Sequence, residues 1–223
     1  MKTRFLKSEH EVGEVYSYYF QMPDGFVWEA GQYLNYTLSG LSPSSSERLF
    51  TIASAPHEKI LRVTTIAGSS DFKKKLRELK SGDKVEIDQL GGDFVWQDDG
   101  RQKLYLAGGI GVTPFRSIVL DRYHKKLKNE SILMYAGRPD HRPFLADFED
   151  VEASDDTFIK LDYPEIRITL EEISIVVPDY KDRTIYIAGP QPFVEGLGDA
   201  LFEDDIPRAQ IKYDWFDGYH HDL

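Results

Sequence analysis

Arg48-Leu49-Phe50-Thr51-Ile52-Ala53-Ser54 puts a fixed cation, an aromatic ring and a hydroxyl into one run with strand character. Side chains alternate across a strand, so Arg48 and Phe50 should share one face while Leu49 and Thr51 share the other. Ile52, Ala53 and Ser54 close the run before Pro56, where the strand should end. A second run lies far downstream, Ala107-Gly108-Gly109-Ile110-Gly111-Val112-Thr113-Pro114. Its glycines remove side chains where a strand turns into a helix, which lets a ligand's phosphates approach the backbone. Thr113 is expected as the N-cap of that helix and Pro114 as a first-turn residue. The spacing differs from the Gly-x-Gly-x-x-Gly dinucleotide fingerprint.

Composition bounds the rest. A chain of 223 residues with 41% hydrophobic and 13% aromatic content can bury one large core or two modest ones. The net charge of −11 argues against nucleic acid as the main partner, because phosphate binding needs a basic surface. Sequence-wide, no apolar run approaches the roughly 20 residues of a membrane span. The first residues lack the apolar core of a signal peptide, so a cytoplasmic location is expected. The chain has no cysteine, which excludes disulfides, thiol nucleophiles and cysteine-ligated clusters. His10, His57, His124 and His141 are scattered and show no metal-ligand spacing, and none is expected to hold a metal.

Along the first half, short β-branched and aromatic runs alternate with turns. A strand is expected from Val12 to about Phe20, a Pro-Asp-Gly turn at Pro23–Gly25, and further strands after Gly31, over Ile60–Ile66 and over Lys84–Asp88. Gly68-Ser69-Ser70 precedes a helical face of Phe72, Leu76 and Leu79, with Ser69 or Ser70 as N-cap. A capped helix start behind a glycine is suited to an anion. The same helix carries Lys73, Lys74, Lys75, Arg77 and Lys80, a basic patch on an acidic protein and a candidate docking surface for an acidic partner. The polar stretch Trp96–Gln102 is the expected domain boundary. Beyond it, apolar runs at Lys103–Ala107, Ser131–Ala136, Asp155–Leu161 and Thr184–Ala188 alternate with helical stretches, as in a parallel α/β sheet. The expected organisation is therefore a strand-rich unit over residues 1–99 followed by an α/β domain over residues 100–223.

At its two defining runs the sequence resembles the ferredoxin–NADP reductase-like superfamily of flavin-dependent reductases. Arg48-Leu49-Phe50-Thr51 fits that family's Arg-x-Tyr/Phe-Ser/Thr motif, and Gly108–Pro114 fits its Gly-Gly-x-Gly-x-Thr-Pro pattern. Gly31-Gln32-Tyr33, Leu90–Phe94, Gly189-Pro190 and the closing Phe216–Tyr219 stretch follow in the family's order. The resemblance implies an antiparallel β-barrel over residues 1–99 that binds FAD, with FMN open, and NADPH or NADH on the parallel-sheet α/β domain over residues 100–223. It implies that Arg48 pairs with the flavin phosphate, that Phe50 lies on the ring and that Thr51 places its hydroxyl near the hydride-accepting nitrogen. It adds Leu49, Ile66, Gly68, Ser69 and Ser70 to the flavin contacts. For the nucleotide it implies Gly109, Gly111, Thr113, Pro114, Gly137, Arg138, Arg142, Gly189 and Pro190. Arg138, His141 and Arg142 would suit a 2′-phosphate, although reductases of either coenzyme preference carry an arginine here. Phe216 or Tyr219 would cover the flavin until nicotinamide displaces it; the alternative is that these rings only seal the sheet. Two departures stand out: Phe50 where the family more often has Tyr, and Ala188 where it usually has Cys. The implied function is transfer of hydride from NAD(P)H to flavin, with electrons passed to ferredoxin or flavodoxin. Alternatives are a free flavin reductase, an electron-transfer subunit and a redox-silent sensor.

Overall fold

The computed structural model describes residues 1–164 and 167–216. The first half forms a six-stranded antiparallel sheet from β1 (Lys2–Val12), β2 (Val15–Gln21), β3 (Tyr33–Thr37), β4 (Glu47–Thr51), β5 (Ile60–Ile66) and β6 (Lys84–Gly91). Their order is β4-β3-β6-β1-β2-β5, which places the flanking strands β4 and β5 last, and the Ala53 N–H donates to the Arg62 carbonyl between them. Alternation builds the interior: Tyr18 and Phe20 of β2, Leu34 and Tyr36 of β3, Leu61 and Val63 of β5, and Val85 and Ile87 of β6 all point into one core. Helix α1 (Asp71–Arg77) closes that core with Phe72 and Leu76, and Ser70 caps it by accepting from the Lys73 N–H at 3.3 Å.

The second half is a five-stranded parallel sheet of β7 (Lys103–Gly108), β8 (Ser131–Ala136), β9 (Ile159–Asp162), β10 (Thr184–Pro190) and β11 (Ile211–Phe216), ordered β11-β10-β7-β8-β9. All residues of β7 are buried, as a strand covered on both faces must be. Helices α2 (Thr113–His124) and α3 (Leu145–Ser154) lie on the face toward the barrel, where Phe115, Ile118 and Phe148 pack with Tyr105 and Tyr186. Helices α4 (Leu170–Val176) and α5 (Gln191–Glu203) cover the other face, where Ile173, Val194 and Leu201 pack on Leu104 and Ile187. From β7 the chain runs outward through β8 and β9, then returns to place β10 and β11 on the opposite side. The reversal opens a crevice at the carboxyl ends of β7 and β10, where ligands bind in this type of sheet.

Three local expectations are refined. The chain opens with a long strand, β1, paired with β2 and β6, in a stretch whose polar outer face hides its strand character. The third parallel strand is shorter than expected, because Asp155–Phe158 forms a turn in which the Phe158 N–H donates to the Asp155 carbonyl at 3.1 Å. Thr113 is the first residue of α2 instead of its cap. A 3-10 turn over Gly109–Val112 runs straight into the helix, and the Thr113 hydroxyl donates back to the Ile110 carbonyl at 3.1 Å.

The connector between the sheets packs on the parallel one. Phe94 stacks edge-on against Tyr186 with centroids 5.2 Å apart, and the Tyr186 hydroxyl accepts from the Gln97 N–H at 2.9 Å. Lys103, fully buried, is neutralised by Asp99, which also accepts from the Thr184 hydroxyl. Trp96 lies between two cations, with Lys103 Nζ 4.7 Å and the Arg122 guanidinium carbon 3.5 Å from its ring centroid.

Candidate functional site

On the barrel, β4 presents Arg48 and Phe50 on one face, as alternation requires. The Phe50 ring, half-buried, packs at 5.7 Å from Phe72 and 6.1 Å from Tyr36. Arg48 is exposed; its guanidinium lies 6.0 Å from the Phe72 ring and donates to the neighbouring Glu47 carbonyl at 2.6 Å. Because Phe72 is the second residue of α1, Arg48 sits beside the Gly68-Ser69-Ser70 loop that leads into that helix. The loop is narrow: a side-chain carbon on Gly68 would lie 2.9 Å from the Lys73 stem. Arg48 and Lys73 therefore flank this loop, and what lies nearest that added carbon is the flexible Lys73 stem. Leu49 is half exposed on the opposite face, and Ile66 ends β5 beside the loop.

Thr51 is buried, and its hydroxyl hydrogen-bonds the carboxyl of Asp214 on β11. This contact joins the two sheets. Asp214 retains some surface, yet burial of its carboxyl pushes it up to about 7, with the charge of Asp93 adding to the effect and the Thr51 bond opposing it. At neutral pH such a carboxyl exchanges a proton readily. Asp214 was not foreseen from the sequence, although a lone acid inside the apolar run Ile211–Phe216 was a usable signal.

Glycines shape the crevice opposite. A carbon added to Gly111 would fall 2.2 Å from the Ala188 carbonyl oxygen, so only glycine lets the turn after β7 lie on β10. Gly189 is also tightly packed, though less so, with its added carbon 3.1 Å from the Gly108 carbonyl oxygen and 2.8 Å from the Phe193 ring. Gly109 differs: it adopts φ +52° with nothing within 4 Å of where its side chain would be, so its backbone faces open space. Gly137, at the end of β8, lies beside Gly109 with φ +149°. Pro114 is buried in the first turn of α2, and Pro190 ends β10 opposite Phe216 of β11. Arg138 is exposed in the turn after β8, and Arg142 is buried against Tyr135 and Tyr163. The structure thus brings Gly109, Gly111, Gly137 and Gly189 together at one edge and sets Arg142 below it. Tyr219 lies outside the described residues, as does the side chain of Phe216.

Helix α2 sets the spacing between the two halves of the site. Its Arg116, 3% exposed, donates to the Ala53 carbonyl at 2.9 Å and to Glu58 at 2.8 Å, and Asp147 holds the same guanidinium at 2.6 Å. Ser117 donates to the Ser54 carbonyl at 2.8 Å. These bonds grip the chain two and three residues past Thr51 with a helix that begins at the glycine turn. Farther along, His57 stacks on His124 at 3.9 Å and 5°, again between barrel and α2. Burial, then the neighbouring His124, lower the pKa of His57. Phe144, at φ +69°, lies between Arg62 at 4.6 Å and Arg116 at 5.2 Å, so it packs at the junction of the halves as well as at the start of α3.

No family model matches the chain. The ferredoxin reductase component of the 3-ketosteroid-9-alpha-monooxygenase of Mycobacterium tuberculosis is 25% identical over 224 residues, which cover 92% of this chain and 62% of that protein. The ferredoxin–NADP+ reductase of Plasmodium falciparum superposes with a TM-score of 0.82 at 15% identity, covering 96% of this chain and 95% of the other. The chain shares the two-part fold of ferredoxin–NADP reductase-like proteins. The reductase-like match also extends to the flavohem-like FAD/NAD-binding domain of the Vibrio cholerae nitric oxide dioxygenase, with a TM-score of 0.81, 19% identity and coverage of 96% and 98%. The chain spans less than two thirds of the length of the curated relatives it matches first. Among the described residues no helix is long and apolar enough to cross a membrane, and no cluster of His, Asp or Glu could hold a metal.

Proposed function

We propose that the chain is an NAD(P)H-dependent flavoprotein reductase that binds FAD on the barrel, takes reducing equivalents from a pyridine nucleotide in the crevice, and passes electrons to a small carrier protein, ferredoxin or flavodoxin, in the cytoplasm. The observation that carries this reading is the Thr51–Asp214 contact, which lies between an aromatic and cationic strand on one side and a glycine-cleared edge on the other. The residues present fit the two groups. Arg48 has a guanidinium fork whose only recorded hydrogen bond, among the described residues, is to a neighbouring carbonyl, suited to a phosphate. Phe50 supplies a half-buried ring face for a flat aromatic system. The Gly68-Ser69-Ser70 loop, which leads into the capped start of α1 beside Arg48, suits the rest of a flavin nucleotide, and Gly109, with open space where a side chain would be, suits a pyrophosphate.

Flavin, when bound, supplies the acceptance of hydride from the nicotinamide and its release as electrons. The chain's own residues then bind and protonate. Thr51 orients its hydroxyl through Asp214, and the Asp214 carboxyl, with its pKa near 7, holds or yields a proton at that hydroxyl. Gly111 and Gly189, by letting the turn after β7 lie on Ala188 of β10, would set how deeply a nicotinamide enters. Lys74, Lys75, Arg77 and Lys80, on and just after α1, place positive charge beside Arg48 on an otherwise acidic protein, which favours encounter with an acidic carrier. The partner-exchanged ion pairs Lys74–Asp71 and Lys75–Glu78 on that helix are exposed and weak, so they can be given up on docking.

The test is a visible absorption spectrum of the purified protein, repeated anaerobically with NADPH and with NADH. A flavin spectrum that bleaches with a nucleotide is the expected result. A colourless protein that reduces added FAD or FMN would reassign it as a free flavin reductase. A protein inert with either flavin supplied would overturn the enzyme reading.

A further inference from the structure

The end of β8 is where a parallel sheet of this kind reads the ribose on the adenosine side of a dinucleotide. A carboxylate there suits the free hydroxyls of NADH, and an unopposed cation suits the phosphate of NADPH. Gly137 lies beside Gly109, so a dinucleotide with its pyrophosphate on the glycine turn extends over the turn Arg138–Arg142. Of the two arginines in that turn, Arg142 is withdrawn. It is 7% exposed, donates to the Pro164 carbonyl, and lies 5.5 Å from the Tyr163 ring and 6.0 Å from the Tyr135 ring. Arg138 is 70% exposed but opposed: Asp140, equally exposed, has Oδ1 3.6 Å from Arg138 Nε, and Arg138 Nη2 also donates to His141 Nε2.

The turn cannot easily carry Asp140 elsewhere. The β1–β2 hairpin rests on it through Gly13, at φ +51°, where an added side-chain carbon would fall 2.3 Å from the Asp140 carbonyl oxygen and 3.1 Å from the His141 ring. The backbone of the turn is thereby held between the hairpin and the end of β8. Its one exposed guanidinium is balanced by its one exposed carboxylate.

We infer that Asp140 makes the chain select NADH over NADPH, by setting a carboxylate against the 2′-phosphate at the turn after β8. The inference rests on the reductase reading. A 2′-phosphate of about two negative charges placed here meets Arg138 already tied to Asp140 and His141, and must lie against the carboxylate that neutralises it. At water-like dielectric and contact-range separations this weakens binding about five- to tenfold, less at high salt. NADH has no phosphate at this position, and its ribose hydroxyls can donate to the same carboxylate.

The experiment compares two fragments that differ only in that group. Adenosine 5′-monophosphate and adenosine 2′,5′-bisphosphate are titrated by calorimetry into the flavin-loaded wild type, Asp140→Asn and Arg138→Ala at low salt. Alongside, KM and kcat are measured with NADH and NADPH. The monophosphate should bind wild type about five- to tenfold more tightly than the bisphosphate. Asp140→Asn should erase or reverse that ratio, lower KM for NADPH by a similar factor, and raise KM for NADH about two- to threefold, because an amide accepts from the ribose hydroxyls more weakly than a carboxylate. Arg138→Ala should weaken only the bisphosphate further. Equal or tighter binding of the bisphosphate by wild type, an unchanged ratio in Asp140→Asn, or binding of neither fragment by a protein that NADH does reduce, would each overturn the inference. If neither NADH nor NADPH bleaches the flavin, the reductase reading itself fails. If NADPH alone does, the reading stands and only the selection by Asp140 falls.

Discussion

Asp214→Asn exchanges a carboxyl for an amide of the same shape where the last parallel strand meets Thr51. Burial is the main reason that the Asp214 carboxyl titrates at about 7 in the folded protein, against 3.8 for an ordinary aspartate. With the folded value above the unfolded one, the folded state binds more protons between them. The stabilisation is complete below about pH 3.8 and is lost as pH rises to 7. Above that, the folded chain carries a desolvated carboxylate at a cost of at most about 4 kcal/mol, from 1.4 kcal/mol per tenfold change in proton affinity. The surface that Asp214 retains lets water screen the charge and brings the cost to about 2 kcal/mol. Asparagine carries no such cost and can still bond the Thr51 hydroxyl. The melting temperature of the flavin-free variant should therefore rise relative to wild type as pH increases from 4 to 7. The gap should level off above pH 7 at about 5 °C, given about 2–4 °C per kcal/mol for a chain of this size. Scanning fluorimetry across that range reads it directly. Melting curves that run parallel at every pH would refute the claim that this carboxyl is buried and protonated near neutrality.

Gly111→Ala should abolish soluble expression or strip nucleotide binding, because its methyl would sit 2.2 Å from the Ala188 carbonyl oxygen, whereas Gly109→Ala should cost only about 1 kcal/mol in a denaturant melt for its φ of +52°. Arg116→Met should lower stability by about 3 kcal/mol in the same assay, since Glu58 and Asp147 lose their shared partner at the junction of the two halves; a loss under about 1 kcal/mol would mean that α2 does not hold the barrel in place. His57 has a folded pKa below its unfolded value, so the stability it contributes is fully present above about pH 6.5 and is lost as pH falls from there through the lower folded pKa. His57→Gln should flatten the decline in melting temperature between pH 7 and 5.5, and an unchanged slope would show that the stacked pair does not titrate. Arg48→Leu should release flavin on gel filtration, with a fall in affinity of about tenfold or more, if its guanidinium holds the phosphate.

Much of this architecture is legible in the residues because it rests on short-range rules. The alternation of Arg48 with Phe50, the switch to fully apolar strands after Lys103 and the cap at Ser70 are local patterns, and each reappears in the structure. What stayed hidden depends on partners distant in sequence. Asp214 looks like a surface acid until β11 lies beside β10 and its carboxyl reaches Thr51, 163 residues away in the chain. Arg116 reads as a solvated helix residue until the barrel covers it. Arg142 reads as a phosphate ligand until Tyr163 and Pro164 close over it. Strand β1 was obscured for another reason: it keeps a polar face on the outside, and only Thr3 and Phe5 mark the inside. Thr113 lost its expected capping role to a 3-10 turn, whose hydrogen bonds depend on the glycines before it.

The three tryptophans divide the molecule in a way that optical measurements can exploit. Trp28, 5% exposed, is sealed in the barrel and should emit in the blue, out of reach of dissolved quenchers. Trp96, clasped between Lys103 and Arg122 in the connector, feels two positive charges on its ring faces, so its emission should shift when the halves separate and that clasp opens. Trp215, 53% exposed and paired in register with Gly189, stands at the rim of the crevice, where iodide can reach it. Single-tryptophan variants would thus give barrel, connector and rim each a separate colour channel, and unfolding followed in all three would show whether the two sheets come apart before either one melts.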